Sequence, residues 1–557
     1  MKKRFFAAAL AAVLAFSLAG CGGSEVRTEG EKKMSYDDAS SELSSLMKKI
    51  NVKTIQNPTL DIYMSETSKA DALDDISTFP VTVRGNGDID IEVAAATEMS
   101  ADAPDDWMNA VAKDFNREGF KINGRTVSVS VRKITSGEAV TYMIDGGYEP
   151  QVFAPSNYAW GDMLKASGID IIKIADRIAG NTAGILIQKD VYDKFIEKYK
   201  EATVGNVLDA TINGDLVFAY TNPYTSSTGL NILTAMLKSF DEDDPLSDNA
   251  AQKLIEYQRS SPPVAYTTAV LRQSAAKGVI NAMVMEEQAY VNTPELKSFQ
   301  YIPAGIRHDH PVYTFEWASK EEQEAAKLFT EYCQNEENQA LATEKGFNRH
   351  DDYEGQDPGM TGTDFLNAQK IWKQNKNGGK PIVAVFVSDI SGSMDGEPLN
   401  ALKRSLINGS EYIGSENYIG LVSYSSSVTV NLPIKEFDAT QRAYFSGEVK
   451  SLSAGGTTAT YDAVLVALDM LKNKAAEVPD AKLMLFVLTD GEQNEGYSLE
   501  RITGIVGGLE VPVYTIAYNY SDNGELETLS GINEAACIKA ESSDIANQLR
   551  NLFNVQI

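Results

Sequence analysis

The sequence contains little cysteine, little histidine and no long apolar run beyond its first twenty residues. Of 557 residues, three are cysteine and three are histidine. Cys333 and Cys537 leave a single bridge open, but a disulfide framework is excluded. His308 and His310 share one loop, where we expect solvated side chains, and no Cys-x-x-Cys motif indicates a zinc site. No later segment reaches about 18 apolar residues in a row, so none is expected to cross a membrane.

Positive charge is also scarce. Lysine and arginine number 50 against 78 aspartate and glutamate residues, which gives a formal net charge of −28. Proteins bind phosphate backbones through basic surfaces, so nucleic acid is excluded as a partner. The excess of acidic residues favours cationic partners or divalent ions.

The amino terminus has the pattern of an export signal. A basic start, residues 2–4, precedes an apolar stretch over residues 5–18 that is too short to span a membrane as a helix. The sequence Leu-Ala-Gly-Cys at residues 18–21 resembles a bacterial lipobox.

That resemblance implies a signal peptide over residues 1–20 and a lipid attached to Cys21. Two or three acyl chains anchor a protein stably, whereas one chain does not. Residues 21–33 are rich in Gly, Ser, Glu and Lys and predict a flexible tether. The expected location is therefore the extracytoplasmic face of a bacterial cell membrane.

Three loops near the carboxy terminus carry oxygen-bearing side chains. Two of them follow apolar runs, residues 381–387 and 482–488, that are typical of buried parallel strands, and the third opens a helix after Gly455-Gly456. The loops supply two carboxylates and three hydroxyls: Asp389, Ser391, Ser393, Thr457 and Asp490. An all-oxygen set suits a hard cation, Mg²⁺ or Mn²⁺ and less readily Ca²⁺.

This arrangement resembles the von Willebrand factor A (VWA) domain and its metal-ion-dependent adhesion site, over residues 378–557. The resemblance implies that Ser391, Ser393 and Thr457 coordinate the metal, with Thr458 as the alternative to Thr457. It further implies that Asp389 and Asp490 hold the metal directly or through water. One coordination position would stay open for an acidic residue of an extracellular protein partner.

Residues 89–352 alternate strand and helix patterns. Strands are predicted at residues 89–96, 127–134, 151–154, 184–188 and 216–220, and helices at 104–115, 230–240 and 329–341. The order resembles a two-lobed extracellular solute-binding protein. The predicted fold class is α/β: this two-lobed domain, then a Rossmann-like VWA domain with a mainly parallel sheet and helices on both faces. Residues 34–88 are expected to form an extension that packs on the two-lobed domain, and residues 353–377 a linker.

A solute is expected beyond the carboxyl ends of the strands, near helix N-termini. That rule selects Thr97, Glu98, Ser136, Gly137, Ser156, Asn157, Thr225, Ser226 and Ser227. Hydroxyls at the start of helix 230–240 favour an anion, although an N-cap explains them equally well. Tyr158 and Trp160 form either an aromatic wall or part of the core. Glu286 and Glu287 could bind a cationic group, but we expect a solvated pair.

Three functions are compatible with these patterns. The first is a lipid-anchored binding protein whose metal site holds a protein partner and whose cleft holds a solute or polymer. The second is the receptor of an ABC importer, acting with its permease. The third, an enzyme, is disfavoured because the sequence has no Ser-His-Asp order, no HExxH motif and no P-loop.

Overall fold

The computed structural model describes residues 34–61, 73, 75–265, 268, 271–272, 275, 280–411, 413–491, 493–518, 524–533, 535, 537–540, 552 and 556. The signal peptide, Cys21 and the tether lie outside these residues. So does nearly all of residues 543–553, where the spacing of Ile545, Leu549 and Phe553 predicts a helix. The chain forms two compact units. We call residues 75–378 the first unit. The second unit combines residues 379–557 with segment 34–61.

The strands and helices have the following bounds. Segment 34–61 contains α1 (Tyr36–Met47) and β1 (Val52–Thr54). The strands of the first unit are β2 (Val81–Val83), β3 (Ile89–Ala95), β4 (Lys121–Ile122), β5 (Arg125–Lys133), β6 (Val152–Ala154), β7 (Ile171–Ala175), β8 (Thr182–Gln188), β9 (Phe218–Thr221), β10 (Val264–Ala265), β11 (Ala282–Glu286), β12 (Phe299–Arg307) and β13 (Val312–Phe315).

The described helices of the first unit are α2 (Thr97–Ser100), α3 (Trp107–Glu118), α4 (Ser136–Ile144), α5 (Ala159–Ala166), α6 (Lys189–Tyr199), α7 (Val204–Ile212), α8 (Ser227–Phe240), α9 (Asp248–Gln258), α10 (Glu287–Val291), α11 (Lys320–Cys333), α12 (Glu336–Glu344) and α13 (Gly362–Asn375). The second unit continues with β14 (Ile382–Asp389), α14 (Glu397–Ser410), β15 (Tyr418–Tyr424), β16 (Val428–Glu436), α15 (Ala439–Ser451), α16 (Thr460–Ala475), β17 (Lys482–Thr489), α17 (Leu499–Leu509), β18 (Val513–Tyr518), α18 (Glu525–Gly531) and β19 (Cys537–Ala540).

Two sheets divide the first unit into two lobes. The sheet of the first lobe has the order β2-β5-β3-β6-β13-β7, and that of the second lobe β10-β9-β11-β8-β12. The chain crosses between the lobes at residues 176–181 and again at 308–311. Both sheets are mixed. In the first lobe, β3 is parallel to β6 but β13 is antiparallel to β6, and in the second lobe, β11 is parallel to β9 but antiparallel to β8. The prediction of a single helix at 329–341 is wrong. The segment contains the end of α11 and the start of α12, because Asn335 is the N-cap of a new helix.

The second unit is built on one sheet with the order β1-β16-β15-β14-β17-β18-β19. All its pairings are parallel except β15 with β16. Every residue of β14 is buried. Apolar cores pack on both faces of the sheet, as its near-continuous Val, Ile, Leu and Phe composition requires. Across the described residues, no helix combines the length and apolar character needed to span a bilayer.

Segment 34–61 belongs to the second unit, although the whole first unit separates the two in sequence. β1 pairs in parallel with β16, with Val52 opposite Val428. Leu43 is fully buried in the apolar core that also contains Val506 of α17. A Cβ atom at Gly508 would lie 2.6 Å from the Cβ atom of Ala39, so the close approach of α1 requires glycine there. For residues 34–61 this corrects the expectation that the extension packs on the two-lobed domain, whereas residues 75–88 do pack there, with β2 paired to β5.

The expected linker also has a defined position. Helix α13 packs on α5 of the first lobe and on α8 and α9 of the second lobe. Trp372 Nε1 donates to Tyr220 Oη at 2.8 Å, and Gln369 Nε2 donates to the Pro223 carbonyl at 2.8 Å. The helix therefore bridges both lobes before the chain enters β14.

Replacing Leu43 with alanine is expected to destabilise the second unit by about 2–5 kcal/mol, because a fully buried leucine is removed from a packed core. Hydrogen exchange of the full chain measures this: amides of β17 should exchange faster, while amides of β3 in the first unit should not.

Tyr36→Ala is the matched control, because Tyr36 lies on the same helix with 52% of its surface exposed. Unchanged exchange in β17 of Leu43→Ala would show that segment 34–61 contributes no stability to the second unit.

Candidate functional site

The carboxyl ends of two neighbouring strands bring oxygen groups together in the second unit. β14 and β17 pair in parallel, so Asp389 at the end of one lies beside Thr489 and Asp490 at the end of the other. Ser393 Oγ donates to Asp490 Oδ1 at 2.8 Å and lies 3.1 Å from Ser391 Oγ. We call Asp389, Ser391, Ser393 and Asp490 the loop cluster.

Asp389 is fully buried, and two donors hold its carboxylate. The Ser391 N–H donates to Oδ1 at 2.7 Å, and Thr489 Oγ1 donates to Oδ2 at 2.6 Å. Burial raises the pKa of Asp389 despite these hydrogen bonds, and burial also raises the pKa of Asp490. Thr489 was missed by the sequence reasoning, although its position directly before Asp490 at a strand end was a usable signal.

Thr457 lies in the adjacent loop but makes other contacts. Its hydroxyl donates to Ser426 Oγ at 2.8 Å, and its N–H donates to the same oxygen at 2.9 Å. The loop that carries Thr457 contacts the loop cluster through a backbone hydrogen bond, in which the Gly392 N–H donates to the Gly456 carbonyl at 3.0 Å. Gly456 has φ +92°, and a Cβ atom there would lie 2.7 Å from Ser426 Oγ. Thr458 is buried.

The spacing of the loop cluster fits a small divalent cation. Oxygens on adjacent corners of an octahedral Mg²⁺ shell lie about 3 Å apart when each bond is about 2.1 Å. The distances from Ser393 Oγ to Asp490 Oδ1, 2.8 Å, and to Ser391 Oγ, 3.1 Å, match that edge. The longer bonds of Ca²⁺ would require the three oxygens to separate.

The first unit has a second group of polar side chains, buried where its lobes and crossing segments meet. It is formed by Glu98 in α2, Ser156 after β6, Asn181 before β8, Glu286 and Gln288 at the β11–α10 junction, and His308 and His310 in the second crossing segment. We call these residues the cleft cluster. All but Glu98 are at least 96% buried. The expectation of solvated histidines is therefore wrong.

Glu98 and His310 form a buried pair. His310 Nε2 lies 3.1 Å from Glu98 Oε1, and Nδ1 lies 2.8 Å from the Ala179 carbonyl oxygen. Both ring nitrogens thus lie within hydrogen-bond distance of an oxygen atom. Burial acts to raise the pKa of Glu98, but hydrogen bonds and charge from His310, helped by Ser156, lower it to about 2.

Glu286 has no comparable partner. Thr228 donates to Oε1, whereas Oε2 is buried with no hydrogen-bond partner among the described residues. Burial, followed by the charge of Glu98, raises the pKa of Glu286 to about 7. The expectation of a solvated Glu286–Glu287 pair is wrong, since the two residues are 4% and 6% exposed. Burial lowers the pKa of His308 to about 4, and neither of its ring nitrogens has a partner in the part of the chain that the structure describes.

Some of the other expected ligand residues form hydrogen bonds between the two lobes, and the rest have roles within their own lobe. The Gly137 N–H donates to the Thr225 carbonyl at 3.2 Å, and Trp160 Nε1 donates to Ser227 Oγ at 2.8 Å. These bonds join the lobes directly. Ser226 is the N-cap of α8, which is the alternative role expected for these hydroxyls. Of the remainder, Ser136 Oγ lies 3.4 Å from Ser156 Oγ, Asn157 is buried, and Thr97 begins α2.

A separate cavity of about 500 Å³ opens at the outer strands of the first lobe. Its charged lining includes Glu92 and Arg132, which already form a two-point ion pair at 2.7 and 3.1 Å. The cavity is remote from the cleft cluster, and its strongest charges are satisfied within the protein. We assign no ligand to it.

Comparison with known proteins identifies both units. Residues 384–554 match the family model of the von Willebrand factor type A domain, and residues 92–348 match that of bacterial extracellular solute-binding proteins. The chain therefore combines a bacterial extracellular solute-binding domain with a VWA domain.

The curated relatives resemble part of this chain. Inter-alpha-trypsin inhibitor heavy chain H3 of Bos taurus is 30% identical over 171 residues, which cover 27% of this chain and 19% of that protein. The Homo sapiens heavy chain H3 is 32% identical over 170 residues, with the same coverage of 27% and 19%. The match thus spans about a fifth of the length of these relatives.

Among solved structures, the sulfate-binding protein SubI from Mycobacterium tuberculosis H37Rv has a TM-score of 0.34 and 16% identity, covering 47% of this chain and 88% of that one. A von Willebrand factor type A protein from Catenulispora acidiphila has a TM-score of 0.29 and 18% identity, covering 31% and 42%.

The free energy of unfolding of the first unit is expected to change when Glu286 is replaced by glutamine. Relative to the parent, the variant should gain about 1–3 kcal/mol more stability at pH 8 than at pH 5. The folded pKa of about 7 exceeds the ordinary value of 4.5, so the folded state binds the proton more tightly. Stability present below pH 4.5 is lost as pH rises through 7, and glutamine removes that loss.

Denaturant unfolding followed by tryptophan fluorescence is the measurement, because all four tryptophans lie in the first unit. Glu98→Gln is the comparator of opposite sign: it leaves His310 without its carboxylate and should destabilise the unit at both pH values. A Glu286→Gln variant that is less stable than the parent at pH 8 would show that Glu286 is held as a favourable charge.

Proposed function

We propose that this protein is a membrane-anchored extracytoplasmic binding lipoprotein with two binding sites. The VWA domain binds a protein partner through a divalent metal, and the two-lobed domain binds a solute or polymer. The observation that carries the first half is the hydrogen-bonded series from Ser391 Oγ through Ser393 Oγ to Asp490 Oδ1. The cleft cluster carries the second half.

In the VWA domain, Ser391, Ser393 and Asp490 would hold the metal through their side-chain oxygens. Asp389, whose two oxygens already accept hydrogen bonds, would support the ion through water, and Thr457 would approach from the neighbouring loop after its bond to Ser426 breaks. Bound there, Mg²⁺ or Mn²⁺ supplies a positive charge that attracts a carboxylate of the partner. Ser393 and Thr457 are exposed, so a partner can reach this edge of the sheet.

In the solute-binding domain, the support comes from buried polar atoms. Asn181 Nδ2, Glu286 Oε2, Gln288 Oε1 and both His308 ring nitrogens have no hydrogen-bond partner within the described residues. Buried polar atoms are nearly always paired, so these atoms are available to an enclosed ligand. The direct bonds between the lobes imply that the lobes must part for a ligand to enter.

The proposed location rests on the sequence. Solute-binding proteins of the matched family are extracellular by description, and the lipobox-like residues 18–21 supply a site for a lipid on Cys21. An anchor at that point would hold both domains at the extracytoplasmic face of the membrane.

Receptor activity for an ABC importer is the second candidate, favoured by the match of residues 92–348 to solute-binding proteins. It would add a permease as a partner of the first unit. The VWA domain would then be accessory to transport rather than the main binding element.

Ser393→Ala is expected to weaken Mn²⁺ binding by about tenfold or more, because it removes the hydroxyl between Ser391 and Asp490. Calorimetric titration of Mn²⁺ into the full chain measures the change. Asp395→Ala is the matched control: this exposed aspartate follows Ser393 by two residues and should leave the affinity within about twofold.

Equal Mn²⁺ affinity in the parent and in Ser393→Ala would contradict the metal site. Equal losses in Ser393→Ala and Asp395→Ala would indicate a diffuse effect of the acidic surface rather than coordination by the loop cluster.

A further inference from the structure

One unpartnered atom of the cleft cluster, Glu286 Oε2, belongs to a group that can carry negative charge. Gln288 Oε1 and one nitrogen of a neutral His308 can also accept a hydrogen bond, whereas Asn181 Nδ2 and the N–H of that imidazole can donate one. Glu286 is therefore the group whose charge selects the ligand, and a ligand that satisfies its Oε2 must donate a hydrogen bond.

The charges within the cleft cluster are unbalanced. Glu98 has a partner of its own, since His310 Nε2 lies 3.1 Å from Glu98 Oε1. Thr228 is the donor to Glu286, and a hydroxyl carries no charge to offset that of the carboxylate. Within the part of the chain that the structure describes, an ionised Glu286 therefore has the hydroxyls of Thr228 and Thr268 beside it but no paired cation. A buried charge in that situation is costly unless a cation joins it.

The arginines around the cleft do not supply that cation. Arg272 is paired with Asp105 at 2.9 Å, Arg307 with Asp309 at 2.9 Å, and Arg177 with Asp351 at 2.7 Å. Arg177 and Arg307 share Asp309 and Asp351 between them, and Arg349 is exposed and acts on Glu287. An anionic solute would instead meet Glu98 and Glu286, so the anion expected from the helix start at α8 is disfavoured by the charges beside it.

We propose that the cleft cluster binds a small organic cation, a protonated primary amine that donates an N–H hydrogen bond to Glu286 Oε2. This inference deepens the proposed solute-binding function and rests on it. The residues of the cluster are buried, so the ligand is enclosed by closure of the lobes.

A pH dependence follows from the same geometry. The groups that face Glu286 are Glu98 from α2, Thr228 from α8, Thr268, and Tyr301 from β12, whose pKa is raised in part by the charge of Glu286. Burial and Glu98 raise the pKa of Glu286 to about 7, so below that pH a proton competes with the amine. Affinity for an amine that stays protonated should fall about tenfold per pH unit below 7 and level off above it.

The test is calorimetric titration of the full chain at pH 5.5, 6.5 and 8 with four probes: ethanolamine, choline, sulfate and glucose. We expect ethanolamine to bind, more tightly at pH 8 than at pH 5.5, and with release of a proton at the lower pH. Choline, which cannot donate N–H hydrogen bonds, should bind more weakly, and sulfate should not bind.

Two variants sharpen the result. Glu286→Gln keeps the shape and the acceptor for Thr228 but removes the charge, and should lower ethanolamine affinity by tenfold or more while abolishing the pH dependence. Glu287→Gln is the matched control, because its carboxylate lies 3.1 Å from His350 rather than in the cleft cluster, and should leave the affinity within about threefold. The pH series on the unmodified chain decides the question should Glu286→Gln fail to fold.

The possible results distinguish failure of the cationic ligand from failure of the solute-binding function itself. Binding of sulfate or glucose in preference to ethanolamine, unaffected by Glu286→Gln, would overturn the cationic ligand and leave the solute-binding function standing. Binding of none of the four probes, together with native mass spectra that show no small molecule retained by the full chain, would overturn both.

Discussion

The two candidate sites depend on the same constraint, which is that a carboxylate removed from water must be compensated. Asp389 is fully buried and accepts two hydrogen bonds, and Glu98 is compensated by His310. Glu286 receives a hydrogen bond from Thr228 but has one oxygen without a partner among the described residues. Burial of a charge is unfavourable without such partners, so Glu286 is the position where the protein has most reason to attract a cation. The strongly acidic composition is consistent with that role.

The VWA unit is formed by two segments that are far apart in sequence. Segment 34–61 forms an edge strand and a helix of the VWA unit, and the solute-binding unit is inserted between that segment and β14. β1 covers the edge of β16, which would otherwise present unpaired backbone groups. Both ends of the solute-binding unit are therefore joined covalently to the VWA unit. An anchor at the amino terminus would reach the VWA unit first.

Sequence patterns predicted those parts of the candidate sites that depend on neighbouring residues and on strand pairing. Asp389, Ser391 and Ser393 follow one buried strand and Asp490 another, and parallel pairing of those strands is enough to bring them together. The contact between Glu98 and His310 spans 212 residues and arises only because the chain crosses between the lobes twice. Nothing adjacent in sequence signals it, so the histidines were expected in solvent.

Other differences have equally specific causes. Thr457 follows the expected Gly-Gly turn, but its hydroxyl is bonded to Ser426, a residue 31 positions earlier in a different loop. β1 has three residues, too short a segment to identify its sheet from sequence alone. Asn335 interrupts an apolar pattern that otherwise reads as one continuous helix.

The most direct test of the central claim, that two independent sites collect cations on buried carboxylates, is native mass spectrometry of the full chain purified without chelator. The account predicts one divalent metal that EDTA removes, together with a small organic cation that EDTA leaves in place. A chain that carries neither a metal nor a cation, or that retains an anion in the first unit, would contradict it.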